Sequence, residues 1–385
     1  VKATLPFCIA CAVLAVWSAT AAATEQEAGE GGQRHERTYT LVGPGMPDEE
    51  RAVLRALHWF KEHQNEDGSW GEEPHQAAMT GLALLAFLGH GEDHLSAEYG
   101  ATVAKAIEWL VKHQDDDGFF AKRDRQATEH AMATYAIAEA YAMTGLEGLK
   151  PVVVKALGRI LDGLTSDGGW YENYAKARDD GSPLPGGDTL VSAWQVQALT
   201  AAWYAGVRLP DDALRDARRA ARRDMQSRFS FETGFGPTGN EPGGSLADNY
   251  TTTAAGAFSL ALLGERDSKE AQAAFEMLGA RECDWDKTET PTPGPLYTWY
   301  YVTWALLRAH PSPRENVPFR RWLPLTNKTL VAHQDDGGTW GYPPSESGRR
   351  ERALYTGKNR AVYSTALACL TIEAYYRYLP TATAR

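Results

Sequence analysis

The sequence predicts an all-α fold, an α6/α6 toroid in which six helical hairpins close into a double-layered barrel. Three observations predict it. A short turn motif occurs in six copies along the chain. An amphipathic helical stretch precedes the copies, and an apolar, Ala-rich stretch follows each one.

The motif sets the period. Asp67-Gly68-Ser69-Trp70 recurs as Asp117-Gly118-Phe119-Phe120 and Asp167-Gly168-Gly169-Trp170, with the aspartates fifty residues apart each time. A fourth clear copy, Asp336-Gly337-Gly338-Thr339-Trp340, reads as carrying one extra residue. Three of the four follow His-Gln, at His63-Gln64, His113-Gln114 and His333-Gln334. Two worn copies, Thr233-Gly234-Phe235 and Cys283-Asp284-Trp285, fill the gap, so that an aromatic falls at 70, 120, 170, 235, 285 and 340. Self-similarity at such a period is the mark of a repeat architecture. The glycine suits a turn with positive φ and the aspartate can bond to nearby backbone, so the motif is read as structural.

The stretch before a copy carries one apolar stripe, as in Val53, Leu54, Leu57 and Phe60, or Val103, Ile107, Leu110 and Val111. Such a stripe is an outer helix with its charges toward water. The stretches after the copies, 77–88, 130–143, 189–205, 248–263, 296–308 and 360–378, are apolar nearly all round. A helix without a polar face belongs inside. Outer and inner helices in alternation curve into a ring, where each hairpin packs mainly on its neighbours. That is how 385 residues form one domain, although single cores usually stop growing at about 250–300 residues.

Residues 48–380 are assigned to the toroid and 24–47, polar and without periodicity, to a flexible arm. Residues 1–23 read as an export signal: Lys2, an apolar run from Leu5 to Trp17, then small residues around Ala21. The expected site of action is therefore periplasmic or extracellular. The apolar run falls short of the about 20 residues of a membrane span, so no stable span is expected after processing. A net charge of -11 lacks the basic footprint that nucleic acid requires. Cys8 and Cys11 lie in the leader, leaving Cys283 and Cys369, which are read as buried thiols. Arg215, Arg218, Arg219, Arg222 and Arg223 read as a solvated stripe on the fourth outer helix.

The stretches Gln64–Trp70, Gln114–Phe120 and Gln334–Trp340 resemble the repeats of squalene-hopene cyclases and related class II terpene cyclases, a superfamily that includes the protein prenyltransferases. The resemblance covers roughly residues 48–380 and implies the toroid. It also implies two catalytic signatures. Class II cyclases protonate an alkene with the middle Asp of an Asp-x-Asp-Asp motif at the start of an inner helix. The matching stretch, Pro185-Gly186-Gly187-Asp188-Thr189, keeps the last Asp but places Gly187 where the acid belongs. Asp284-Trp285-Asp286-Lys287 falls in the fifth turn copy and is rejected as a substitute. Prenyltransferases hold zinc with an Asp-x-Cys pair and a distant His, and neither Cys283 nor Cys369 stands in such a pair. No metal and no cofactor are expected.

The N-terminal ends of the inner helices mark one mouth of the ring, where helix dipoles favour anions. His75, His130, Asp188, Asp248, Tyr297 and Arg360 are predicted there. Asp188 and Asp248 are candidate acids or N-caps, and His130, beside Glu129, is a candidate general base. Trp194, Tyr250, Tyr297, Trp299 and Tyr363 fall on inner helices and are candidates to wall a cavity. The function expected is a ligand-binding or interaction module using the central cavity, its ligand a hydrophobic isoprenoid or a glycan. The alternatives are a divergent enzyme on an isoprenoid lipid and a polysaccharide lyase or hydrolase.

Overall fold

Burial sorts the helices into two layers. The computed structural model describes residues 47–374 apart from 122–125, 178–180, 185, 238–243, 280–282 and 313–314. The outer helices are α1 (Asp48–Glu62), α3 (Gly100–His113), α5 (Leu149–Asp162), α7 (Ala213–Ser227), α9 (Lys269–Leu278) and α11 (Val317–Ala332). Each buries one face, as α1 does with Val53, Leu54, Leu57 and Phe60. The inner helices are α2 (Gln76–His90), α4 (Gln126–Thr144), α6 (Thr189–Tyr204), α8 (Tyr250–Leu262), α10 (Pro295–Arg308) and α13 (Gly357–Glu373). They are buried nearly all round: α2 exposes only its first residue to any extent, and α10 only its last. Small elements interrupt the pattern, among them a 3-10 turn at Pro210–Asp212. A hairpin of β1 (Phe229–Ser230) and β2 (Gly234–Phe235) forms the fourth turn, and a short helix, α12 (Glu346–Arg352), precedes α13.

The ring closes. Going round, α2 packs on α4, α4 on α6, α6 on α8, α8 on α10, α10 on α13, and α13 back on α2. The turn motif makes the joints. Gln64 Nε2 donates to Gly68 O and to Thr102 O of the next outer helix, each at 2.9 Å. Gln114 does the same to Gly118 and Val152. Gln334 donates to Gly338 O and, at 2.8 Å, to Ala52 O, joining the last repeat to the first. Arg55 donates back to the Gln334 side chain. Trp70, Trp170 and Trp340 are fully or almost fully buried and donate their indole N–H to Phe60, Ile160 and Leu330 at the ends of their own outer helices, each at 2.7 Å.

The register of the last copy differs from the sequence reading. Gln334 to Trp340 spans the same interval as Gln64 to Trp70, so no residue is inserted. Gly338, with φ +90°, is the counterpart of Gly68, and Gly337 stands where the earlier copies have Asp. A Cβ on Gly338 would lie 2.5 Å from Arg55 O, as one on Gly68 would lie 2.6 Å from Lys105 O. The turn therefore requires glycine for its φ and for its approach to the next helix.

One further expectation is corrected. The arginine stripe of α7 is not uniformly solvated. Arg218 turns inward to donate to Thr200 Oγ1 and Leu262 O, and Arg222 pairs with Glu265 at 2.8 Å. Residues 375–378, included in the last predicted helix, lie outside the described residues. Cys283 and Cys369 are both buried free thiols, as read. Among the described residues no helix is long and apolar enough to cross a membrane.

Candidate functional site

At the N-terminal ends of three consecutive inner helices, side chains converge on one buried carboxylate. His75 immediately precedes α2, Glu129 lies in the first turn of α4, and Tyr355 precedes α13. His75 Nδ1 is 2.7 Å from Glu129 Oε1, and the Tyr355 hydroxyl donates toward the same oxygen at 3.5 Å. The His75 and Tyr355 rings meet edge to face at 5.0 Å, and Tyr355 packs on Tyr363 at 4.7 Å. Glu129 is 1% exposed and His75 17% exposed. With Glu129 ionised, and so only an acceptor, this contact is a donation from the His75 Nδ1–H, which leaves Nε2 without that proton.

His130 is elsewhere. It is fully buried, with Nδ1 accepting from the Phe120 amide at 3.2 Å and Nε2 donating to Ala156 O at 3.0 Å. Burial pushes its pKa down to about 4, so it stays neutral. Thr80, Ser192 and Thr253 do the same for Trp70, Trp170 and Phe235. His130 thus fills a structural position that recurs in the repeat. Its spacing of ten residues from Phe120 matches that of Thr80 from Trp70, a signal present in the sequence.

The two aspartates separate. Asp188 is the N-cap of α6, accepting from the amides of Leu190 at 2.8 Å and Val191 at 2.9 Å. Asp248 is exposed and does not cap α8, whose N-cap position is Asn249. Its carboxylate accepts from the Ser245 hydroxyl at 2.8 Å and the Ser245 amide at 2.9 Å, which hold its pKa below the usual range. A proton donor needs the opposite shift.

Gly187, at the position of the missing acid, has no room for any side chain. A Cβ there would stand on the backbone N of Trp170 and 2.6 Å from its O. The lumen beyond it is bridged. Trp194 of α6 donates to the Tyr297 hydroxyl of α10 at 2.9 Å. Gln197 donates to Tyr301 at 3.0 Å and accepts from Tyr300 at 2.7 Å. The Trp194 and Tyr300 rings stack at 5.7 Å, 11° from parallel. Because α8 separates α6 from α10 in the ring, these contacts cross its interior. Trp194, Tyr297 and Tyr363 are therefore packed side chains, each at most 2% exposed.

Tyr250 and Trp299 face a different space, a cavity of about 240 Å³ shared with Trp322 of the outer helix α11 and rimmed by Lys287 and Glu289. Arg360 is half-buried near the mouth, its Nε donating to the carbonyls of Arg352 and Tyr355. Sequence reasoning missed Tyr355 and Glu351. Glu351 of α12 accepts from the Leu296 and Tyr297 amides at the start of α10. Burial pushes its carboxyl up to about 7 against those two donors. Among the described residues no group of three or more His, Cys, Asp or Glu is placed to hold a metal ion.

Comparison with known proteins agrees with the architecture. The family model of the prenyltransferase alpha-alpha toroid domain matches residues 41–170 and 78–288. No curated protein matches the chain. A variant of the type II terpene cyclase MstE from Scytonema, in complex with geranylgeranyl dihydroxybenzoate, is 15% identical. It covers 87% of this chain and 98% of its own, with a TM-score of 0.55. The GH76A α-1,6-mannanase from Salegentibacter sp. HEL1_6 is 11% identical, covering 84% of this chain and 98% of its own at a TM-score of 0.60. A D-mannose isomerase is 13% identical, covering 86% and 100% at a TM-score of 0.60. At such identities the likeness is one of fold.

Proposed function

Because the chain belongs to the prenyltransferase alpha-alpha toroid family, we propose that it is a binding module of that fold, without cyclisation chemistry, whose ligand sits at the mouth formed by the inner-helix N-termini. The ligand class is a glycan. The observation that carries this reading is the aromatic bridge across the lumen, Trp194 with Tyr297 and Gln197 with Tyr300 and Tyr301. An isoprenoid chain needs an enclosed apolar chamber, and these side chains cross that space from α6 to α10. The crowded backbone at Gly187 and the capping role of Asp188 also argue against an alkene-protonating acid.

The mouth suits a hydroxylated ligand. It offers the partly exposed His75 imidazole and the half-buried Arg360 guanidinium, polar groups that can meet a sugar's hydroxyls. The mannanase and the mannose isomerase, by their names, act on mannose-containing substrates. The terpene cyclase complex speaks for an isoprenoid instead, and the bridge across the lumen favours the glycan. If residues 1–23 act as an export signal, the protein would meet such glycans outside the cytoplasm.

The test is native mass spectrometry of the purified chain, paired with calorimetric titration of α-1,6-linked mannotriose and trigalacturonate. The expected result is no bound polyprenoid and saturable binding of a glycan. Replacing Arg360 by Ala should weaken it about tenfold, or ~1.4 kcal/mol. A co-purifying polyprenoid, or no glycan binding, would overturn the proposal.

A further inference from the structure

We infer that His75 is a general base held by Glu129, so that the mouth performs proton transfer on its ligand as well as binding it. The inference rests on the mouth being the ligand site and adds to it a chemical role for one atom, His75 Nε2.

Three observations support it. The first is orientation. A buried carboxylate 2.7 Å from Nδ1 fixes one tautomer of the ring, which a histidine in water does not keep. The second is the contrast between the two partners. Glu129 is withdrawn from water while the His75 side chain keeps 17% of its exposure. The carboxylate holds the imidazole from the buried side, and of the two groups the imidazole is the one a ligand can reach. The third is comparison within the chain. His130 has both nitrogens bonded to backbone and no exposure. His63, His113 and His333 donate toward carbonyls of their own helices. These histidines serve packing, whereas His75 is turned to a carboxylate at a mouth.

The step is a proton transfer. Nε2 takes the proton of a ligand hydroxyl: the O–H bond breaks, an N–H bond forms, and the electron pair stays on oxygen. The imidazolium that results is paired with the Glu129 carboxylate, which lowers the cost of forming it. The oxygen anion lies beside the start of α2, where the helix dipole favours negative charge. Glu129 is a positioning residue, since it acts through His75.

The test uses the whole chain labelled with 15N-histidine, long-range 1H–15N NMR of the ring nitrogens, and the two trisaccharides as probes. The expected result is the Nδ1–H tautomer at His75 and a shift of its Nε2 resonance when the bound trisaccharide is added. Glu129→Met, which removes the acceptor, should lose that tautomer preference. Tyr355→Phe should keep it, and circular dichroism shows that each variant is folded. Carbethoxylation of Nε2 by diethyl pyrocarbonate should slow about tenfold with saturating trisaccharide, as occupancy of about nine sites in ten requires. Trisaccharide binding with an Nε2–H tautomer, or with the Nδ1–H tautomer unchanged in Glu129→Met, overturns the base and leaves the binding proposal standing. The Nδ1–H tautomer with no binding overturns the binding proposal and the base with it.

Discussion

At the residue scale, Glu129 shows what adjacency in sequence does and does not reveal. The sequence places it beside His130, yet in the structure its partner is His75, fifty-four positions away. On a helix, neighbours in sequence point to different faces, so consecutive residues rarely form a working pair. The general character of the mouth was legible, because N-terminal ends of inner helices gather there. The pairing was not, because it depends on how α2 and α4 are set against each other.

Another residue-scale cluster sits at the opposite ends of the inner helices. His90 Nε2 lies 3.3 Å from Glu50 and its Nδ1 3.1 Å from Glu92. Burial alone would lower the pKa of His90, but these carboxylates, with Glu373 nearby, raise it to about 9. Burial raises Glu373 to about 8, with His90 opposing. Both groups therefore hold protons in the folded state that the unfolded chain releases at lower pH, from ordinary values of 6.5 and 4.5. The stability contributed by His90 is complete below about pH 6.5 and is lost as pH rises through about 9. That tied to neutral Glu373 falls from about pH 4.5 to about 8. Melting temperature should decline steadily between these limits. Glu373→Gln, permanently neutral, should flatten the part below about pH 8 in scanning calorimetry. An unchanged slope would show that Glu373 titrates normally.

At the element scale, the turn motif makes a prediction that separates two adjacent glycines. Gly338→Ala meets both a positive φ and the Arg55 carbonyl, and should cost about 2–4 kcal/mol in denaturant unfolding. At Gly337 a Cβ would meet only Asp335 Oδ1, at 3.4 Å, so Gly337→Ala should change stability by less than about 0.5 kcal/mol. Equal effects would contradict the register. The helices themselves were legible because their hydropathy is either one-sided or uniform. Two elements were not. The seven-residue α12, rich in arginine and glutamate, has no apolar stripe to announce it. It is fixed from outside, by the Glu289 carboxylate at the Glu346 and Ser347 amides and by Glu351 reaching into α10. The β1–β2 hairpin has two residues in each strand, too few to show alternation.

At the scale of the whole molecule, closure changes how the repeats share stability. In an open solenoid a terminal repeat can be removed at the cost of one interface. Here the last hairpin contacts both α10 and α2, and Gln334 ties it to α1. Removing residues 317–385 would open two interfaces at once and bare the apolar flanks of α2 and α10. The expected outcome is loss of cooperative unfolding and aggregation, read by calorimetry and light scattering. A truncated chain that melts in one sharp transition would show that closure adds little.

The cluster at His90 has one more consequence. Glu50 belongs to the first turn of the first helix, and Glu373 is the last residue of the last one. Both act on the same imidazole, so the two ends of the described polypeptide path are neighbours in space. A circle whose ends meet has no privileged starting point. A linker spanning that junction would allow the chain to be cut and restarted at an exposed turn such as the one between α4 and α5, giving a circular permutant with the same contacts in a new order. The order of the repeats along the gene is then a matter of history, and the ring is indifferent to it.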